Sequence, residues 1–114
     1  MLFYRNTTET QITVIGNAAP VQDHSGRIHV PFCVNNLRIL YTYSDDDGMT
    51  WSPVVTLPNH SEVVRSDWKW LGLGPPAGLS LKSGRLLIPA YHGEFHWEDG
   101  TLTHVHMMYS DDRG

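Results

Sequence analysis

An internal repeat restricts the fold of this chain more than any other feature of its sequence. The stretch SGRIHVPFC begins at Ser25, and the similar stretch SGRLLIPAY begins at Ser83, 58 residues later. In both copies, Ser-Gly-Arg is followed by aliphatic residues and then by proline. Self-similarity at such a spacing indicates one structural unit that is used twice.

A second pair of similar phrases extends the repeat. YSDDDG begins at Tyr43 and YSDDRG begins at Tyr109, 66 residues later. Because this spacing is eight residues longer than that of the first pair, the second unit contains an insertion, within HGEFHWEDGTLTH. Both units therefore have the same order of strand-like runs and turns.

The repeated unit consists of short strands. GRIHVPFCV at 26–34 is rich in β-branched and aromatic residues, and LRILYTYS at 37–44 alternates between two faces. The Asn35-Asn36 pair between them tolerates positive φ, which predicts a hairpin. No segment has sustained helical spacing with caps. Further strands are predicted at 53–57, 77–81, 84–92 and 101–110, with a connection at 58–73.

Four short antiparallel strands per unit are typical of a β-propeller blade. We therefore predict an all-β fold of about two four-stranded antiparallel blades, in a partial propeller domain over residues 1–114. One blade is predicted at about 12–57 and the other at about 74–114. Because the second unit stops within its Asp-rich turn at Gly114, and propellers need about four to eight blades to close, we expect a fragment.

Composition argues against several classes of function. The chain is 40% hydrophobic and 18% charged, which is typical of a globular protein. Its net charge of −4, without a basic block, argues against a nucleic-acid partner. No apolar run approaches the ~18–20 residues of a membrane-spanning helix. The single cysteine, Cys33, excludes an internal disulfide and is predicted to be a buried thiol.

The Asp-rich turns have the residues of a hydrogen-bonded lock. Glycine permits positive φ, serine and aspartate side chains can accept backbone N–H bonds, and tryptophan supplies a large apolar surface. The spacing does not match an EF-hand, so calcium is not favoured. Asp45 and Asp47 lie outside the pattern and are predicted to be solvated. The lock residues are Ser44, Asp46, Gly48, Thr50 and Trp51, then Ser110, Asp112 and Gly114.

The pattern Ser-x-Asp-x-Gly-x-Thr-Trp resembles the Asp box of the sialidase (neuraminidase) family. IGNAAPVQDHSGRIHVPFCVNN also resembles the family's GNPAPV and GRI segments, and LGLGPPAGLSLKSGRLLIPAYH resembles its GPGxGIQL and GRLVIPAY segments. Only residues 1–12 and 58–70 lack a clear counterpart. The resemblance implies a six-bladed β-propeller, with structural Asp boxes on the rim opposite the active site.

The resemblance also implies a chemistry. Members of the family release terminal α-linked sialic acids from glycans with retention, without a metal or other cofactor. They use a tyrosine nucleophile paired with a glutamate, an aspartate acid/base, and three arginines that bind the carboxylate of the sugar. The family's order of segments places this set before and after the present chain. We therefore expect no catalytic residue here, and the partners to be sialylated glycans.

Three residues are candidates for substrate binding. Asn17, in GNAAP, and Tyr91, in IPAY, match family positions near the sugar, although Ala18 stands where the family usually has proline. Trp97, in the insertion, is a candidate contact for the sugar beyond the cleaved bond. The histidines of the second unit suggest a zinc site, but the resemblance argues against metal. Arg27 and Arg85 begin equivalent strands and are expected to be structural.

Two other functions remain open at this point. Asp boxes also occur in non-catalytic propellers that bind glycans or proteins, although GNAAP and IPAY favour a sialidase. A trans-sialidase that transfers sialic acid to an acceptor is equally compatible with the sequence. The sequence does not indicate a compartment, a linkage preference or an oligomeric state.

Overall fold

The computed structural model describes residues 14–74, 76–94 and 103–112, which form two antiparallel sheets, one from each repeat. The prediction of an all-β fold of blade-like antiparallel sheets is confirmed. Within the described residues, no helix is both long enough and apolar enough to cross a membrane. The elements are β1 Ile15–Gly16, β2 Val21–Gln22, β3 Ile28–Val34, β4 Arg38–Ser44, β5 Val55–Thr56, α1 His60–Val63, β6 Trp70–Leu73, β7 Leu79–Ser80, β8 Leu86–Gly93 and β9 Thr103–Ser110.

The first sheet has four positions, as expected for a blade. β3 and β4 pair along their whole length, from Ile28 opposite Ser44 to Val34 opposite Arg38. β1 and β2 pair with the two ends of β3, so together they fill one edge position. β5 pairs with the other side of β4. The order across the sheet is therefore β1 with β2, then β3, β4 and β5.

The second sheet repeats the first three of these positions. β6 and β7 pair with the two ends of β8, and β8 pairs with β9 over eight residues. β6 lies at 70–73, in the stretch that the sequence assigned to the connection. It has only four residues, three of which are buried, so it lacks the alternation that marks a half-exposed strand.

One face of the first sheet packs on one face of the second sheet. Cys33 and Ile39 pair across β3 and β4 on this face, and both are almost fully buried. Burial raises the pKa of the Cys33 thiol to about 11, so it is protonated at neutral pH. The core between the sheets comprises Ala19, Cys33, Ile39, Leu71, Leu73, Ala90 and Met108.

Hydrogen bonds also join the two sheets. The N–H of Leu71 donates to the carbonyl of Asn36 at 2.6 Å, and the Asn36 side-chain amide donates to the Leu71 carbonyl at 2.9 Å. Asn36 reaches β6 from the β3–β4 turn, where it has φ of +53°. The N–H of Gly78 donates to the Pro20 carbonyl at 2.9 Å. The hairpin turn thus reverses the chain and also holds β6 of the second sheet against the first sheet.

The first Asp-rich turn is closed by side chains that bond to its own backbone. The Ser44 hydroxyl accepts the N–H of Gly48 at 2.9 Å and donates to Asp46 at 2.8 Å. The Asp46 carboxylate accepts the Thr50 N–H at 2.8 Å and the Thr50 hydroxyl at 2.6 Å. Gly48 has φ of +86°, and its carbonyl accepts the Trp51 indole N–H. This one network therefore sets the path of the whole turn.

The second Asp-rich turn begins in the same way. The Ser110 hydroxyl donates to Asp112 at 2.8 Å and accepts the Asp112 N–H at 3.3 Å. Both distances equal those between Ser44 and Asp46 in the first turn. Gly114 lies outside the described residues.

An ion pair joins each Asp-rich turn to an arginine at the same end of its sheet, immediately before β3 or β8. Arg27 binds Asp45 through two bonds of 2.6 and 3.0 Å, and Arg85 binds Asp111 through two bonds of 2.7 and 2.9 Å. Asp45 is exposed, as predicted, but it is also paired, which the sequence reading did not foresee. Each guanidinium also lies over a tyrosine ring, at 4.0 Å from Tyr43 and 4.4 Å from Tyr109.

We predict that Asp46→Asn lowers the midpoint of thermal unfolding at pH 7 by several degrees. Hydrogen bonds from the Thr50 hydroxyl, the Thr50 N–H and Ser44 lower the pKa of Asp46 from 3.8 to about 2. Because the folded-state pKa is depressed, its contribution to stability is complete above about pH 4 and is lost as the pH falls towards 2. The difference between wild type and variant should therefore shrink over that range.

The matched control is Asp47→Asn, because Asp47 is exposed in the same turn and asparagine also tolerates its φ of +55°. The midpoints of thermal unfolding of the wild type and the two variants are measured by circular dichroism at pH 7, 4 and 2.5. An Asp46→Asn effect that is the same at pH 7 and pH 2.5, or that Asp47→Asn matches, contradicts the prediction.

Candidate functional site

Two of the candidate substrate residues, Asn17 and Tyr91, lie towards the end of the sheets away from the Asp-rich turns. Those turns follow β4 and β9, whereas the Asn35-Asn36 turn and Gly93 mark the opposite end. We call this opposite end the hairpin end. Gly16, which precedes Asn17, pairs with Cys33 near the hairpin end. Cys33 and Tyr91 occupy the same position in the two repeats, so Asn17 and Tyr91 lie at the same level of neighbouring sheets.

Asn17 is an extra residue in the edge strand of the first sheet. Gly16 pairs with Cys33, and the N–H of Ala19 donates to the Pro31 carbonyl at 3.1 Å. The edge strand therefore advances by three residues, from Gly16 to Ala19, while β3 advances by two, from Cys33 to Pro31. One extra residue on one strand defines a β-bulge. Asn17 has φ of +53°, a conformation that asparagine tolerates better than most residues. Bulges of this kind often redirect a side chain beside a site.

The second sheet has no such bulge at the equivalent place. Gly72 pairs with Tyr91, and the N–H of Gly74 donates to the Pro89 carbonyl at 2.8 Å. The edge strand therefore advances by two residues, from Gly72 to Gly74, while β8 also advances by two, from Tyr91 to Pro89. The bulge at Asn17 is thus a property of the first sheet and not of the repeated unit.

Tyr91 forms an aromatic pair with Trp70 on the face of the second sheet that points away from the core. Tyr91 follows the core residue Ala90, and successive strand residues point to opposite faces. The two rings meet edge to face, with centroids 5.2 Å apart and an angle of 66° between the planes. Both side chains are partly buried, so part of each remains accessible.

Two glycines provide the room for this aromatic pair. A Cβ on Gly72 would collide with the Tyr91 ring, and a Cβ on Gly93 would collide with the Trp70 indole. Each glycine is the direct cross-strand partner of the ring that covers it. Sequence reasoning did not single out Trp70, because its relation to Tyr91 depends on the strand register and on the two opposing glycines.

Trp97, the third candidate, lies outside the described residues. So do its neighbours between 95 and 102. Its contact with a sugar therefore stays a prediction.

A histidine cluster lies on the core-facing side of the second sheet, near the hairpin end. The Nδ1 atoms of His92 and His106 are 3.0 Å apart, and the Trp68 ring stacks on His92 at a centroid distance of 3.8 Å. Burial, then the neighbouring His104, lowers the pKa of His92, and burial lowers that of His106. Within the described ranges, no three His, Cys, Asp or Glu side chains are placed to hold a metal. The observed contacts of the cluster are ring contacts between histidines of β8 and β9 and with Trp68.

Three arginines in the described part of the chain are each engaged by an aspartate. Arg65 binds Asp67 at 3.0 and 2.8 Å, like the two arginines that brace the Asp-rich turns. Arg27 and Arg85 lie at the Asp-rich turns, far along the strands from Tyr91. Their geometry fits a structural role better than binding of a substrate carboxylate.

We predict that Gly72→Ala lowers the free energy of unfolding by about 1–3 kcal/mol, because the added methyl group displaces the Tyr91 ring. Gly16→Ala is the matched control, since Gly16 occupies the equivalent position and a Cβ there has open space. Urea unfolding, monitored by tryptophan fluorescence, gives the free energy of unfolding of both variants and of the wild type. Equal effects of the two substitutions would show that the Tyr91 ring does not lie on Gly72.

Comparison with known proteins finds sialidases among the relatives of this chain. The chain is 35% identical to mouse Sialidase-4 over 124 residues, covering 86% of the chain and 25% of the relative. It is 39% identical to human Sialidase-3 over 90 residues, covering 70% of the chain and 21% of the relative. It is 46% identical to the Exo-alpha-sialidase of Aspergillus fumigatus over 54 residues, covering 46% of the chain and 13% of the relative. No family model matches the sequence.

A solved structure has the same arrangement of sheets. The Hadza microbial sialidase Hz136 superposes with a TM-score of 0.69 over 90% of the chain and 23% of its own length, at 21% identity. The chain spans about a quarter or less of each of these relatives. The two antiparallel sheets are thus neighbouring parts of a sialidase β-propeller, and the chain belongs to the sialidase family of glycoside hydrolases.

Proposed function

We propose that this chain contributes part of the substrate pocket of an exo-α-sialidase, a retaining enzyme that releases terminal sialic acids from glycoproteins, gangliosides and oligosaccharides. The observation that carries the proposal is the shared level of Asn17 and Tyr91. Both lie near the hairpin end of neighbouring sheets, within segments that resemble those of the sialidase family, and away from the Asp-rich turns. A pocket at this end would be lined by both sheets.

The chain's own residues would bind and orient the sugar. The Tyr91 hydroxyl can donate to or accept from the polar substituents of sialic acid, and the Asn17 amide can do both. Gly72 and Trp70 hold the Tyr91 ring in place before substrate arrives, which reduces the entropy lost on binding. Trp97 would contact the sugar beyond the cleaved bond.

Bond cleavage would depend on groups outside this chain. By resemblance to the family, these are the tyrosine nucleophile with its glutamate, the aspartate acid/base and the arginines that bind the carboxylate. The arginine pairs at the Asp-rich turns support this division, because those guanidinium groups are already bound by Asp45 and Asp111. The 114-residue chain alone should therefore not hydrolyse a fluorogenic α-sialoside.

The test is a chimera in which this chain replaces the matching segment of human Sialidase-3. We predict that the chimera hydrolyses a fluorogenic α-sialoside. Tyr91→Phe in the chimera should lower kcat/KM by about tenfold, because one hydrogen bond to the sugar is lost. Tyr43→Phe is the matched control, since Tyr43 lies beside the Asp-rich turn and should leave kcat/KM unchanged.

The outcomes separate the alternatives. A folded but inactive chimera would favour a non-catalytic, glycan-binding propeller. A chimera whose activity is insensitive to Tyr91→Phe would remove Tyr91 from the pocket. Release of sialic acid by the isolated 114-residue chain would contradict the placement of the catalytic groups outside it.

A further inference from the structure

A cavity of about 390 Å³ lies between the two sheets, on the side opposite to the Tyr91 face of the second sheet. Because it lies on the opposite face of the second sheet from Tyr91, the cavity is distinct from the proposed sugar pocket. Its volume falls within the range of small-molecule sites. Most of its wall is apolar, and that part is contributed by both sheets through Val21, Pro31, Leu57, Leu86, Ile88 and Met108.

Two polar side chains of the wall belong to a buried relay of three. His29 is 2% exposed, and its Nε2 atom lies 3.2 Å from the Asp23 carboxylate. Its Nδ1 atom lies 2.7 Å from the Tyr41 hydroxyl, and Tyr41 is 8% exposed. Both His29 and Tyr41 line the cavity, whereas Asp23 lies behind them. The relay thus runs from the β2–β3 turn to the cavity.

Asp23 is the anionic end of this relay. Burial raises its pKa, but hydrogen bonds from Ser25, His29 and the backbone outweigh burial and hold the pKa well below its ordinary value. The ionised carboxylate can accept the Nε2–H of His29. The Tyr41 oxygen lies 2.7 Å from Nδ1 and, whichever of the two atoms donates, keeps a lone pair that can accept a bond from a ligand.

The fold does not require this relay. The equivalent positions of the second repeat hold Leu81, Leu87 and Met107, and the same turn and strands form there. The Leu81 N–H bonds to the Arg85 carbonyl as the Asp23 N–H bonds to the Arg27 carbonyl, both at 2.9 Å. Burying three polar groups where apolar ones form the same strands offers no evident gain in stability, so the relay is a candidate for a role other than folding.

The charge around the cavity indicates the kind of ligand. Among the described residues that line it are Glu62, Asp111 and Asp112, and none is lysine or arginine. Asp111 is paired with Arg85, whereas Glu62 is exposed. The acidic groups and the phenol oxygen favour a cation with N–H donors, and the apolar wall favours a hydrocarbon body.

We propose that this cavity binds a small organic ammonium ion, whose N–H group donates to the Tyr41 oxygen while its apolar part lies between the two sheets. The site is independent of sialoside cleavage. It combines a mostly apolar wall with a few polar groups, among them the Tyr41 oxygen and acidic side chains, as small-molecule sites usually do.

The experiment titrates the ¹⁵N-labelled 114-residue chain with benzylamine at pH 7 and follows amide chemical shifts. Benzyl alcohol and benzoate are matched probes that keep the ring but remove or reverse the charge. Saturable shifts for benzylamine at residues lining the cavity, with binding at least about tenfold weaker for the other two probes, are expected. Equal binding of benzoate or benzyl alcohol, or no saturable shift with benzylamine, would overturn the proposal.

Substitutions locate the site. Tyr41→Phe keeps the ring but removes the hydroxyl, which also bonds His29, and should weaken benzylamine binding by about tenfold. Tyr43→Phe, two residues along the same strand and outside the cavity lining, should leave it unchanged. The triple change Asp23→Leu, His29→Leu and Tyr41→Met installs the second repeat's own residues and should abolish the preference for the amine. Unchanged binding by Tyr41→Phe would exclude the relay as the binding element.

Discussion

The packing of the first sheet on the second holds every other feature of this chain in position. Cys33 and Ile39 on one side meet Leu71, Leu73 and Ala90 on the other, in a layer that is nearly inaccessible to water. Burial of this apolar surface is the main favourable contribution to the contact. The Asn36–Leu71 hydrogen bonds set the register of one sheet against the other. Because the contact is fixed, Asn17 and Tyr91 come to the same level.

Each sheet then separates structural from functional chemistry along its length. At one end, the Ser44 and Asp46 side chains satisfy the backbone of a tight turn, and the Arg27–Asp45 pair braces it. At the other end, glycines leave room for the Trp70–Tyr91 pair of the second sheet. The densest negative charge in the sequence thus belongs to the scaffold, and the candidate pocket consists of neutral polar and aromatic groups.

The sequence allowed prediction of features that depend on local residues, namely the repeat, the Asn35-Asn36 hairpin and the β-strands. Features that depend on cross-strand neighbours were missed or incomplete. β6 was too short to show alternation, and Trp70 gains its meaning only from Gly93 opposite it. The His29–Tyr41 contact joins adjacent strands, so no spacing along the chain indicates it. Tertiary register, which a single sequence does not encode as a visible pattern, accounts for these differences.

Hydrogen exchange of individual backbone amides tests most directly whether the two repeats stack as neighbouring blades. The N–H groups of Leu71 and Gly78 donate to carbonyls of the first sheet, at Asn36 and Pro20. If the sheets pack as described, the amides of Leu71 and Gly78 should exchange as slowly as the paired amides of β3 and β4 in the first sheet. Exchange of both amides at the rate of an unstructured peptide, while β3 and β4 stay protected, would contradict the stacked arrangement.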